Sequence, residues 1–170
     1  ALGGSALYAV ILHLIGHSLA KASFFLTSGN ILELFSTKRI KSVHGLMEAD
    51  KKTGWLWIFS FLAICAFPTS VLFISEFIMI KTMIIEKHYV LCALFVLLLT
   101  IVLWGMGKVV IKMAFNKLSE DKAQSVLENK SKISALMVLP QIIMLLIVFV
   151  FGVYIPPFLN NIINCTIAGF

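Results

Sequence analysis

Three ionisable side chains recur at intervals of four in an otherwise apolar stretch: His13, His17 and Lys21, in HLIGHSLAKASFFLTSGNIL. On a helix that spacing keeps them within about 80° of one another and along about 12 Å of the axis, which makes one polar stripe. Ser28 returns to nearly the same azimuth and extends it. Imidazole titrates near neutral pH and passes a proton between its two nitrogens, and an amine held out of water gives up its proton more readily than one in solvent. A lysine deep in an apolar helix costs about 3 kcal/mol to insert, so three such groups in register point to a proton or ion pathway. Zinc fits less well: the two histidines have i, i+4 spacing, but no carboxylate lies within a turn and the lysine repels a cation. No metal is expected.

A second signal is Glu76, eight residues after Pro68 in AFPTSVLFISEF. Proline removes a backbone donor and interrupts a helix, and interrupted helices line the hydrated cavities in which ions move through membranes. A carboxyl group at such a place can load and release a proton as a nearby lysine changes charge. Lys108 and Lys112 share one face near the end of a later segment and are read as snorkelling anchors, with proton entry as the other reading. Trp55 and Trp57 are expected at the membrane interface.

The elements that must position these groups are membrane helices. Of the 170 residues 60% are hydrophobic and 13% charged, and the mean hydropathy is +1.01. A domain of this size has too little interior for that much apolar side chain, so lipid must solvate much of it. The apolar runs are continuous rather than alternating, which excludes a barrel and predicts an all-α, polytopic transmembrane bundle. Four spans are expected, at about 7–35, 55–85, 89–113 and 133–154, with the second interrupted near Pro68. Residues 119–130 are polar enough for an exposed helix or a flexible link, and Pro156-Pro157 should end the fourth span.

The net charge of +6 reflects basic residues gathered between the apolar runs, not a nucleic-acid surface; Arg39 is the only arginine. Lys38, Arg39, Lys41, Lys51 and Lys52 follow the first span, and Lys117, Lys122, Lys130 and Lys132 follow the third. Loops 37–53 and 114–131 should therefore be cytoplasmic, with Glu86 outside and both ends of the chain on the outer side. Cys65, Cys92 and Cys165 have no paired spacing and are expected to pack or to face lipid. The chain enters an apolar helix soon after Ala1 with neither an initiator Met nor a basic leader, so it is expected to be a piece of something longer.

HLIGHSLAKASFFLTSGNIL, followed about forty residues later by AFPTSVLFISEF, resembles the proton-conducting antiporter-like membrane subunits of respiratory complex I, group 4 membrane-bound hydrogenases and multisubunit cation/proton antiporters. The resemblance covers nearly the whole chain, with His13, His17, Lys21, Ser28, Gly29 and Glu76 matching position for position. The ending GVYIPPFLNNIIN is most similar to the hydrogenase-4/formate hydrogenlyase membrane subunits. The resemblance implies a subunit of about fourteen helices in two inverted halves, of which this chain supplies the last four. It also implies that Lys21 is the central relay and Glu76 the terminal site exchanging with the outer side. Where such subunits have Gly-x-Pro-Pro, this chain has Ala66-Phe67-Pro68-Thr69, which implies a shallower break.

Proton translocation in a redox-driven respiratory or hydrogenase complex is the function these features imply, in an inner or plasma membrane. The chain offers no ligand pattern for a redox cofactor, so electrons would move elsewhere and no cofactor is expected. The partners implied are the lipid bilayer, an N-terminal half and other membrane subunits, without nucleic acid. A sodium/proton antiporter subunit or a non-transporting structural fragment are the alternatives.

Overall fold

A computed structural model describes residues 4–131 and 133–169, with the backbone alone for 120–122. Ala1, Lys132, Phe170 and the side chain of Lys122 fall outside the described residues. All regular structure among the described residues is helical: α1 (Gly4–Phe35), a 3-10 turn (Ile40–Ser42), α2 (Leu46–Ala49), α3 (Lys51–Ile64), α4 (Val71–Ile85), α5 (Tyr89–Phe115), α6 (Glu120–Lys130), α7 (Ala135–Val153) and α8 (Pro157–Ala168).

Among the described residues α1, α5 and α7 are each long and apolar enough to cross a bilayer alone. The expected second span is instead two half-helices of 14 and 15 residues, each about 22 Å and short of the roughly 30 Å hydrocarbon core. Their interruption is complete. The chain leaves the helix from Cys65 to Ser70, with Ala66 at φ 51° and Thr69 at φ 87°, so the implied shallow break is not what forms. Ser70 restarts the helix by accepting a hydrogen bond from the Phe73 amide at 3.2 Å, which satisfies a donor that lipid could not. Gly152 on α7 lies directly against the backbone of Thr69 and Ser70; a Cβ there would collide with the Thr69 carbonyl oxygen.

The central helix is α1, packed on α4, α7 and α3. Its pairing with α4 is antiparallel: Ser5 Oγ lies 3.3 Å from Thr82 Oγ1, His13 Nδ1 lies 2.9 Å from Ser75 Oγ, and Gly16 meets Val71. A methyl group at Gly16 would strike the Val71 side chain. One apolar cluster joins the C-terminal part of α1 to α2, α3 and α5 through Leu34, Leu46, Phe61 and Val110. Another joins α1, α4, α7 and α8 through Leu12, Leu72, Val148 and Ile163.

Two elements differ from the sequence reading. The fourth span ends ahead of Pro156-Pro157, at Val153, but a helix the sequence reading lacked follows: Pro157 occupies the first turn of α8, where its missing N–H costs nothing, and Leu159 and Ile163 enter the core. Trp57 is no interfacial anchor. It is buried and stacked on Phe24 with ring centroids 4.2 Å apart, whereas Trp55 is half exposed, as an anchor should be.

Asp50 fastens the lysine-rich end of the bundle. It caps α3, accepting from the Thr53 amide at 3.0 Å and the Thr53 hydroxyl at 2.7 Å, and Lys130 of α6 lies 3.7 Å away. Burial pushes the Asp50 carboxyl up, but the Thr53 hydrogen bonds and the Lys130 ammonium together hold it below the usual carboxylate range. A group more acidic when folded than unfolded stabilises fully above the ordinary carboxyl range and loses that contribution as pH falls through its lowered value. Asp50→Ala should cost about 1 kcal/mol near neutral pH. Thermal unfolding in detergent, followed from neutral pH down through the carboxylate range, should show the variant and the native protein converging; a constant gap would mean that the charge is irrelevant.

Candidate functional site: a titratable stripe beside a broken helix

The first element of the site is the α1 face that carries His13, His17 and Lys21. The structure brings the two histidines together, with rings stacked and centroids 5.7 Å apart. Both are half-buried. Lys21 extends the stripe on an exposed part of α1, its Nζ 5.7 Å from the Phe25 ring centroid. Among the described residues Lys21 and Glu76 form no ion pair.

Contact with the second element runs through a residue that the sequence did not single out. Ser75, the residue before Glu76, is buried and donates its hydroxyl to the Leu72 carbonyl at 2.8 Å. A hydroxyl has one proton, so its oxygen is left to accept from His13 Nδ1–H across the helix pair. That assigns neutral His13 to the tautomer whose Nε2 lone pair is open to accept a proton.

Helix register sets the depths. Pairings of residue 5 with 82, 13 with 75, and 16 with 71 continue along α1 to place Lys21 level with the interruption, about 7 Å beyond Gly16. Glu76 then lies near the level of His13, about 13 Å along the axis from Lys21, with the two histidines between. Glu76 is half-buried on α4.

A separate polar network fills the seam between α1, α3 and α7. Ser23 Oγ meets Ser60 Oγ at 3.0 Å, and Gln141 Oε1 accepts from Thr27 at 2.9 Å and from Asn30 at 3.4 Å. Gln141 Nε2 donates to the Met137 carbonyl at 2.8 Å. Ser23 points about 200° away from Lys21 around α1, so this network holds helices together on a different face. Lys108 is placed apart from both, its Nζ 4.4 Å from the ring centroid of exposed Trp104, and Lys112 is also exposed.

Residues 1–103, which include the stripe, the break and Glu76, match the family described as "NADH:quinone oxidoreductase/Mrp antiporter, TM". The chain belongs to this family. The NADH:quinone oxidoreductase/Mrp antiporter proteins similar to it include a hydrogenase-4 component F homolog of Methylacidiphilum infernorum, 32% identical over 91% of this chain and 30% of the relative. A Na(+)/H(+) antiporter protein of Alkalihalophilus pseudofirmus, itself one subunit of its antiporter, is 24% identical over 62% of this chain and 22% of the relative. The chain thus spans less than a third of the length of either. With this membership and its apolar helices, it is an integral membrane protein of an antiporter-like subunit family.

Proposed function

We propose that this chain carries the C-terminal part of a proton pathway in a redox-driven hydrogenase or respiratory membrane complex, seated in an inner or plasma membrane with other membrane subunits. The observation that carries this reading is the His13–Ser75 hydrogen bond, which joins the titratable stripe to the half-helix bearing Glu76. Lys21 holds or releases a proton at the depth of the break, His17 and His13 span the distance along α1, and Glu76 is the exchange site on α4. The two rings are stacked with centroids 5.7 Å apart, so a proton passes between them through water or after a ring turns, because imidazole N–H bonds lie in the ring plane. The link to a hydrogenase-type complex rests on the hydrogenase-4 component F relative, which matches over nearly the whole chain.

A sodium/proton antiporter subunit is the second reading, favoured by the similarity to the Na(+)/H(+) antiporter protein of Alkalihalophilus pseudofirmus. Ion flux separates the two. In vesicles containing the complete complex, electron transfer should drive proton movement that persists without sodium; a strict sodium requirement with radiolabelled sodium uptake would favour the antiporter.

The proposed topology has crossings by α1, by α3 and α4 together, by α5 and by α7, with loops 37–53 and 114–131 in the cytoplasm. The lysine asymmetry of the loops supports it. A membrane-impermeant thiol reagent added to intact cells should label a cysteine placed at position 86 and spare one placed at 41 or 122. The opposite labelling would invert the orientation.

A further inference from the structure

A groove runs between α3 and α7 that the proton pathway does not use. At its lysine-rich end it opens as a cavity of about 630 Å³ bordered by Glu48, Asp50, Lys51, Lys52 and Lys130. From there it follows Val138, Leu139 and Ile142 down α7. Ile142 also borders a second cavity, of about 460 Å³, walled by Leu56, Phe59 and Leu62 of α3 and by Leu146 and Phe149 of α7. Ile142 is common to the walls of both cavities, and the second ends beside Phe67 and Thr69 at the break.

The ends of this groove differ in chemistry. Glu48 and Asp50 are already engaged, Glu48 Oε2 by the Leu118 amide at 3.0 Å and Asp50 by Thr53 and Lys130. Among the described residues neither Lys51 nor Lys52 is in an ion pair, and both are exposed. The mouth therefore sets three ammonium groups against two carboxylates and is net positive, with Lys51 and Lys52 outside any ion pair among the described residues. Below it the walls are hydrocarbon for the length of α3, about 21 Å, which is close to the roughly 15 Å of one leaflet's hydrocarbon plus its interface. Half-exposed Trp55, one turn into α3, marks the interface level beside the same mouth.

We infer that this groove binds an anionic phospholipid, its phosphate at Lys51 and Lys52 and an acyl chain laid along Phe59, Ile142 and Phe149. A phospholipid is the membrane component with an anion at one end and unbroken hydrocarbon one leaflet long. A protein helix laid in the groove would leave the two ammonium groups without a matched anion unless it carried an acid at that one level. Basic pockets between membrane helices at the lysine-rich face bind anionic headgroups by this same combination of charge and adjoining hydrocarbon. The lipid would also cover the side of α3 up to the break, where Gly152 of α7 lies against the backbone of Thr69.

The test places a photo-reactive benzoylphenylalanine at Phe59 in the complete complex, reconstituted in phosphatidylcholine vesicles containing a minority of phosphatidylglycerol. After illumination, mass spectrometry of the adducts should show phosphatidylglycerol enriched roughly fivefold over its share of the bilayer. Lys51→Gln with Lys52→Gln should return the adducts to the bulk ratio, while Lys51→Arg with Lys52→Arg should preserve the enrichment and show that charge, not folding, is read out. Adducts at the bulk ratio in the native chain, no lipid adduct, or a cross-link to a protein segment would each overturn the assignment.

Discussion

Lys21→Ala, introduced into the complete complex, should reduce proton translocation by roughly a hundredfold, the scale on which a positioned proton-transfer group acts, while assembly is largely retained. Lys21 is on the exposed side of α1 with its ammonium near the Phe25 ring, so its removal opens no cavity in either apolar cluster. What disappears is an ammonium group level with the break. Lys21→Arg should be impaired as well, because a guanidinium keeps its proton at any accessible pH. Proton uptake into vesicles at the native rate in the alanine variant would remove Lys21 from the pathway and leave the structural-fragment reading standing.

The exposure of Lys21 constrains the assembly. An ammonium at mid-membrane depth cannot face lipid without a cost of about 3 kcal/mol. In the proposed subunit, that face is covered by protein or borders water.

The sequence made the stripe legible because it lies within one helix, where spacing alone sets the azimuth. The break was legible for the same reason, since Pro68 acts on its own backbone. Features that need two or three helices were not. Gln141 is an isolated amide in a long apolar run, and its partners Thr27 and Asn30 stand more than a hundred residues earlier. Ser75 reads as an ordinary helix residue until α4 is laid against α1. Two misreadings had signals that went unused. Trp55 and Trp57, two residues apart, point about 200° from each other on a helix, so only one could face lipid. Leu159, Ile163 and Ile167 recur every four residues after a proline at a favourable start position, which is the pattern of α8.

Glu76→Gln should stop turnover with little loss of folded protein. The amide keeps the shape and part of the hydrogen bonding of the acid on α4 but cannot ionise, whereas Glu76→Asp keeps the charge on a shorter arm and should retain part of the activity. Coupling to Lys21 follows from their places on one proposed proton path. Lys21 and Glu76 are separated by about 13 Å of helix axis with His17 and His13 between them, so the linkage acts by passing a proton along the stripe rather than through a direct ion pair. In a double-substitution cycle the losses from Lys21→Ala and Glu76→Gln should be strongly non-additive, because either change alone already interrupts the path. Additive losses would assign the residues to separate functions. Native activity in Glu76→Gln would leave the break and the stripe in place but move the exchange site to another residue, and the first place to look would then be the Ser75–His13 contact, where a proton carrier on α1 touches α4.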